Sequence, residues 1–170
     1  MKFKTFTNKL LSTPPESIRL KINGIPKEIK AFARLTSKNY LVGEYWKLRF
    51  TDDSFLLLVI QDEELYYSDN YKLHITGIKD VQIGRKKLIT YHSKTFKLGN
   101  KDDYQYVKEL VYGSPLDIEG ECRFSDYFPV AGEKAFLSLG WLSETRKRAD
   151  IYCKLKKLNE IEFLTNVIQT

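Results

Sequence analysis

The chain has 170 residues and a mass of 19.9 kDa, which is the usual size of one domain. A domain of this size can bury a core large enough to be stable without disulfides or bound metal ions. Its net charge of +6 comes from 28 basic and 22 acidic residues spread over both halves, which excludes a separate basic arm. The longest apolar run, from Phe55 to Ile60, is far shorter than the roughly 18 residues of a membrane-spanning helix, so we expect no transmembrane segment.

The cysteines and the first twenty residues indicate a cellular compartment. Lysine and threonine interrupt the N-terminal segment, which therefore lacks the continuous apolar stretch of a secretory signal. Cys122 and Cys153 lack the paired spacing of a redox or zinc motif. We therefore expect a cytoplasmic protein with two buried free thiols, the alternative being one disulfide in an exported chain.

The chain begins with a pattern that predicts a short helix. Phe3, Phe6 and Leu10 are spaced by three and four residues among lysines, and Pro14 ends the pattern. We interpret this basic amphipathic helix as packed on its own domain. The alternative is that it lies on an anionic membrane surface.

The period then changes to two, which is typical of a strand with one buried face. Ile18, Leu20 and Ile22 alternate with basic residues, and the Asn23-Gly24 pair that follows tolerates the positive φ values of a two-residue hairpin turn. The sequence therefore predicts that residues 27–35 return antiparallel to the first strand.

Two further strands are predicted next. Residues 40–50 place Trp46 and its apolar neighbours on one face and Lys47 and Arg49 on the other. Residues 55–61 begin with FLLLVI, which has no polar face, so we expect this strand to be central and covered on both sides.

Short strand patterns continue to the end of the chain, and 14% of all residues are aromatic, which also favours strands. They occupy residues 72–76, 88–91, 94–98, 122–124, 135–142, 151–155 and 161–164. The fold class predicted is mainly β, an antiparallel meander, open barrel or sandwich with a short N-terminal helix, in one domain over residues 1–170. Residues 104–111, YQYVKELV, fit a strand and a further two-turn helix equally, and residues 112–128 read as a surface connection.

The strongest charge feature is the stretch 84–101, which carries six basic residues and no acid. Folded as a hairpin about His92-Ser93 it presents lysines beside Tyr91 and Phe96, a combination that suits phosphates and stacked bases. A second stretch, 146–157, adds six basic residues. The candidate nucleic-acid-binding residues are Arg85, Lys86, Lys87, Lys94, Lys97, Arg146, Lys147 and Arg148. The alternative is an edge hairpin whose lysines prevent aggregation.

Aromatic side chains suggest a second kind of surface. The set comprises Tyr40, Tyr45, Trp46, Tyr66, Tyr67 and Tyr71. Amphipathic rings are common where proteins meet, so Tyr45, Trp46, Tyr66 and Tyr67 are candidate partner-binding residues, with packing between strands as the alternative. This pattern favours a non-enzymatic protein-interaction module with a protein partner.

No motif points to catalysis or to a cofactor. The glycines form no phosphate-binding loop, and there is no nucleophile motif. His74 and His92 lie on separate segments without a second metal ligand nearby in sequence. We therefore predict no enzyme activity, no metal and no cofactor. An enzyme would require a pocket that brings one of these histidines beside a carboxylate.

The segments IRLKINGIPK and GEYWKLRFTDDSFLLLVIQDEELYY resemble bacterial domains of unknown function of the YjfK type. The resemblance covers a quarter to a third of the chain. It implies a β-rich, cytoplasmic bacterial protein encoded near envelope-stress components, without catalytic residues to transfer.

Overall fold

The computed structural model describes residues 1–38, 43–69 and 77–164, which form mainly antiparallel strands. The helices are α1 (Phe3–Ser12) and α2 (Pro115–Ile118), and 3-10 turns lie at Pro15–Ser17, Asp80–Gln82 and Leu158–Glu160. The strands are β1 (Arg19–Ile22), β2 (Ile25–Ser37), β3 (Glu44–Phe50), β4 (Phe55–Val59), β5 (Glu64–Ser68), β6 (Leu88–Tyr91), β7 (Lys94–Tyr112), β8 (Cys122–Pro129), β9 (Ala135–Leu142), β10 (Arg148–Lys156) and β11 (Ile161–Phe163). The mainly β fold class with an N-terminal helix is thus confirmed.

Eight of these strands close into a barrel. Their order is β2-β3-β4-β5-β10-β9-β8-β7, and β7 pairs again with β2. Closure depends on two long strands that each change partner along one edge: β2 pairs first with β1 and then with β7, and β7 pairs first with β6 and then with β2. The barrel is closed rather than open, so its wall has no free edge.

The seam between β2 and β7 settles the ambiguous segment 104–111. Its residues pair with β2 from Gln105, opposite Ser37, to Tyr112, opposite Phe32, and the helical alternative is therefore wrong. A helix there would leave β2 and β8 with unpaired edges. The one further helix among the described residues is α2, inside the segment 112–128, which also contains most of β8 and is not a plain surface connection.

Both predicted two-residue turns are present. Asn23 and Gly24 have φ values of 52° and 77° and join β1 to β2, with Ile22 opposite Ile25. His92 and Ser93, at 47° and 59°, join β6 to β7 in the same way. Positive φ at both central residues matches the right-handed twist of the strands. The predicted strand at 72–76 and the first residues of the strand predicted at 40–50 lie outside the described residues.

Additional layers cover the outer face of the barrel. Helix α1 buries Phe6 and Leu10 in a cluster with Leu20, Phe50 and Leu56 from the strands. The 77–87 segment buries Ile78 and Ile83 against Phe96, Tyr127 and Leu137 on another part of the outer wall.

Within the described part of the chain, no helix is long and apolar enough to cross a bilayer.

The interior of the barrel is partly polar. Lys47 and Arg49, on the face of β3 opposite Trp46, have side chains only a few per cent exposed. Arg49 Nη1 donates to Glu119 Oε2 at 2.9 Å, and Lys47 Nζ donates to the Glu119 carbonyl oxygen at 3.4 Å. Glu119 follows α2, so this short helix covers one end of the barrel.

All five residues of β4 are buried, as its sequence predicted.

Candidate functional site

A cleft of about 380 Å³ lies on the outer face of the barrel over β5 and β10, beneath the tip of the β6–β7 hairpin. We call it the tyrosine–lysine cleft. Its lining residues among those described are Asn23, Tyr67, Asp69, Tyr91, His92, Tyr152, Lys154 and Lys156. They come from four separate parts of the chain, the β1–β2 turn, β5, the β6–β7 turn and β10, so no local motif identifies this cleft.

Three rings form the hairpin side of the cleft. The centroids of Tyr91 and His92 are 4.1 Å apart and their planes differ by 24°, so the two rings stack. Tyr152 meets Tyr91 edge to face at 5.3 Å. Positive φ at His92 and Ser93 produces the tight turn that holds the exposed imidazole over the ring beside it. The result is an aromatic wall with one solvent-facing ring.

Cations surround this aromatic wall. Lys154 Nζ lies 5.6 Å from the centroid of the Tyr152 ring. Lys156 donates to Asn23 Oδ1 at 3.0 Å and lies 3.5 Å from Glu160 Oε1, which fix its position. Lys94, which pairs with Glu133 at 3.3 Å, adds positive charge near Tyr152. Two of the described lining residues are lysines and one, Asp69, is acidic, while Glu160 and Glu133 offset part of the charge of Lys156 and Lys94.

Two tyrosines of the cleft, Tyr91 and Tyr152, remain neutral. Burial raises the pKa of Tyr152, which Lys94 partly opposes, and burial likewise raises the pKa of Tyr91. Both phenols therefore keep their protons near neutral pH and can donate hydrogen bonds. The cleft thus offers ring faces, hydroxyl donors and ammonium groups, the chemistry that binds a planar ring attached to a phosphate.

Only part of each predicted basic stretch lies near this cleft. Arg85, Lys86, Lys87 and Lys97 are exposed but do not line it, and Arg146 and Lys147 are exposed in the β9–β10 connection. Arg148 is held by carboxylates, with Nη1 2.7 Å from Asp80 Oδ1 and Nε 2.6 Å from Asp150 Oδ1. The parts that meet are the hairpin tip of the first stretch and β10 of the second.

The predicted partner-binding residues are mostly inside the molecule. Tyr45 and Tyr66 are buried in one cluster with Leu57 in the barrel. Tyr67 is also buried but borders the tyrosine–lysine cleft, and Trp46 packs against Phe32 with 5.2 Å between centroids. Tyr40, Tyr71 and His74 lie outside the described residues. Packing between strands accounts for most of this set.

The histidine and cysteine expectations have different outcomes. His92 shares the cleft with a carboxylate, that of Asp69, so the enzyme alternative keeps one candidate pair. Cys122 and Cys153 are free thiols, as expected; Cys153 is buried, whereas Cys122 is partly buried, and its burial raises the pKa of its thiol to about 12. No group of three metal-binding side chains occurs in the described ranges.

Sequence reasoning missed the charged groups inside the barrel. Burial lowers the pKa of Lys47 to about 8 and raises that of Asp126 to about 7. The alternation in β3 separates Lys47 and Arg49 from the apolar face but does not reveal that this second face is the inside of a barrel.

Comparisons of the chain with protein-family models, with curated proteins and with solved structures find no match. The resemblance to YjfK-type domains therefore stays a prediction.

Proposed function

We propose that this protein is a non-enzymatic binding module that holds single-stranded nucleic acid, without sequence preference, in the tyrosine–lysine cleft. The observation that carries the proposal is the convergence of the stacked Tyr91–His92 pair with Lys154 and Lys156 in one cleft. Single-strand binding combines ring faces for bases with cations for the backbone.

The arrangement supports a defined mode of binding. A base stacks on the solvent-facing His92 ring, which its contact with Tyr91 keeps in place. The adjoining phosphates then lie against Lys154 and Lys156 on β10. The cleft volume of about 380 Å³ is within the usual range for a small-molecule site and matches one or two nucleotides rather than a duplex.

A protein-interaction module, the function that the sequence favoured over nucleic-acid binding, has weaker support. Of its four candidate residues, Tyr45, Tyr66 and Tyr67 are buried. Tyr45 and Tyr66 lie in the barrel interior and contribute to an interface only if the barrel opens, whereas Tyr67 lies at the tyrosine–lysine cleft. The nucleic-acid proposal requires no such change, since His92 and Lys154 are exposed.

Fluorescence anisotropy with a labelled oligo(dT) strand tests the proposal. We expect binding that weakens with salt, with a slope of log K against log [salt] near −0.7 for each phosphate that is neutralised, hence about −1.4 to −2 for two or three lysines. Lys154→Glu should weaken binding at least tenfold at low salt. His92→Asn, which removes the ring but tolerates positive φ, should weaken it roughly fivefold or more.

Lys147→Glu is the matched control, because it makes the same charge change at an exposed lysine outside the cleft. We expect it to weaken binding less than threefold. The proposal fails if the wild type does not bind at low salt. It also fails if Lys147→Glu weakens binding as much as Lys154→Glu, since the attraction would then be diffuse.

A further inference from the structure

Part of the sheet projects past the rim of the barrel. Residues 94–97 of β7 pair with β6 on one side, and Phe96 and Lys97 pair with the end of β8 on the other, whereas the pairing of β7 with β2 begins only at Gln105. This end of β6, β7 and β8 is therefore a three-stranded extension of the barrel wall. It also contains most of the basic stretch 84–101, whose basic residues do not line the tyrosine–lysine cleft.

Six residues of the extension share one face. Leu88, Lys97 and Phe128 lie opposite one another on the three strands, and opposite residues of paired strands point to the same side of a sheet. The Val130 amide donates to the Thr95 carbonyl oxygen at 2.9 Å, which continues the register by one further row. The residues of this face are all exposed, and we call them the open face; they are Leu88, Thr90, Thr95, Lys97, Phe128 and Val130.

The open face carries three large apolar side chains that solvent reaches. Leu88 is 53% exposed, Phe128 42% and Val130 62%. The Phe128 ring packs against the backbone of Gly99, where a Cβ atom would come within 2.4 Å of Phe128 Cδ2, so the glycine permits this close contact. Apolar side chains grouped on an exposed surface mark a place where a protein meets a membrane or a partner.

Positive charge surrounds these apolar side chains. Lys97 lies in the middle strand of the open face, and Lys87 directly precedes Leu88. Lys101 borders the same segment, because its Cγ lies 3.4 Å from the position that a Cβ of Gly84 would take. Between residues 84 and 102 the exposed charged side chains are Arg85, Lys86, Lys87, Lys97, Lys101 and Asp102. Five cations thus stand against one acid at this end of the molecule.

The chemistry of the open face selects among the partners that bind basic surfaces. Leu88 and Val130 are aliphatic and offer no ring on which a base could stack, which disfavours nucleic acid. A symmetric dimer of open faces would bring Lys97 and its neighbouring cations against their own copies, and like charges repel. An anionic bilayer suits both parts of the surface, because acyl chains accept the aliphatic groups and headgroup phosphates attract the lysines.

We propose that the open face docks on an anionic lipid bilayer, with Leu88, Phe128 and Val130 among the upper acyl chains and Lys97 at the level of the headgroup phosphates. Docking requires both parts, since a few apolar side chains or a few lysines alone bind a membrane weakly. Helix α1 takes no part, because its apolar side is buried in the core. The proposal is independent of the nucleic-acid proposal, since the open face and the tyrosine–lysine cleft share no residue.

Co-sedimentation of the full chain with lipid vesicles tests the proposal. We expect binding to phosphatidylcholine vesicles that contain about 30% phosphatidylserine to be at least tenfold stronger than binding to pure phosphatidylcholine, and to weaken as salt is added. Absence of binding to the anionic vesicles at low salt, or equal binding to both kinds of vesicle, would overturn the proposal.

Matched substitutions locate the surface. Lys97→Glu should weaken vesicle binding at least tenfold, whereas Lys147→Glu, the same change at an exposed lysine elsewhere, should weaken it less than threefold. Val130→Ser should weaken it at least threefold by removing apolar surface, whereas Leu116→Ser, at a leucine 61% exposed on α2, should leave it unchanged. All four side chains are exposed, so the variants should keep the fold. Equal losses in the test and control variants would refute the inference.

Two further measurements identify the other possible partners. Analytical ultracentrifugation detects a dimer of open faces, which Val130→Ser would dissociate, and oligo(dT) anisotropy detects nucleic acid on this surface, which Lys97→Glu would release. Either result without vesicle binding would assign the open face to that partner and refute the inference. Lys154→Glu in the cleft should change vesicle binding less than threefold, so the two proposals can fail separately.

Discussion

Asp126 shows how one buried carboxyl group makes the stability of the barrel depend on pH. Burial raises its pKa to about 7 from an ordinary value of 3.8, and the negative charge of Asp103 adds to the rise, while hydrogen bonds from Ser138 and Asn100 oppose it. The folded protein therefore holds this proton more tightly than the unfolded chain does. Ionisation of Asp126 consequently opposes folding increasingly as the pH rises from about 4 to about 7, and the penalty is constant above that window.

We predict that Asp126→Asn gains stability relative to the wild type across this pH window, because asparagine does not ionise. The gain should reach the order of 4 kcal/mol above pH 7 and vanish near pH 4, since each pKa unit corresponds to about 1.4 kcal/mol. Urea unfolding at several pH values measures it. The exposed Asp62→Asn variant should show no such trend, and a pH-independent difference for Asp126→Asn would contradict the prediction.

At the scale of elements, the short helix α2 has a structural role because it covers one end of the barrel. Ser114 and Asp117 form reciprocal hydrogen bonds at its N-terminus, which stabilise a helix of only four residues. Glu119 at its other end adopts a left-handed conformation with φ of 47° and meets the Arg49 guanidinium. The helix thus supplies the carboxylate that compensates a buried cation from β3.

Glu119→Gln tests this role. The substitution keeps the shape but removes the charge opposite Arg49, whose side chain is 3% exposed, so we predict a loss of about 2 kcal/mol in the free energy of unfolding. The loss is smaller than for complete removal of a partner because Asp53 also contacts Arg49, at 2.7 Å. Chemical denaturation gives the value.

The exposed pair of Lys94 and Glu133 provides the matched control. Glu133→Gln removes a carboxylate of an ion pair in solvent and should cost less than about 0.5 kcal/mol. If both glutamine variants cost the same, α2 does not stabilise the barrel through charge.

At the scale of the whole molecule, the pairing of β2 with β7, which closes the barrel, determines how the barrel unfolds. Six residue pairs connect the strands from Phe32 opposite Tyr112 to Ser37 opposite Gln105, with two register shifts between them. Because the seam closes the wall, opening it exposes the interior and breaks pairing on both sides. We expect the barrel to unfold as one cooperative unit.

Hydrogen exchange measures this cooperativity. The hydrogen-bonded amides of β7 along the seam should exchange with the same free energy as those of the β3–β4 pair, which lies on another part of the wall. The outer strand β11, with three residues, should exchange faster and serves as the internal reference for fraying. Rapid exchange of the seam with protected β3 and β4 would mean that the barrel opens in solution.

The sequence by itself determined the local structure because local structure depends on neighbouring residues. Asn23-Gly24 tolerates positive φ, so its turn followed from residue type, and the His92-Ser93 turn adopts the same conformation. The alternation of β1 and the unbroken apolar run of β4 predicted strands, and the spacing of Phe3, Phe6 and Leu10 predicted α1. A mainly β fold with an N-terminal helix was thus predictable.

Only the tertiary structure decided which face of each strand is inside, where the barrel closes and which side chains meet. Alternation distinguishes two faces, but α1 and the 77–87 segment cover the outside, so the apolar face of β3 packs outward and Lys47 and Arg49 face inward. The cleft joins Tyr67, Tyr91 and Tyr152, which are far apart in the chain. Pairing at such separations depends on how the whole wall closes, since it is set by the combined twist and register of all eight strands.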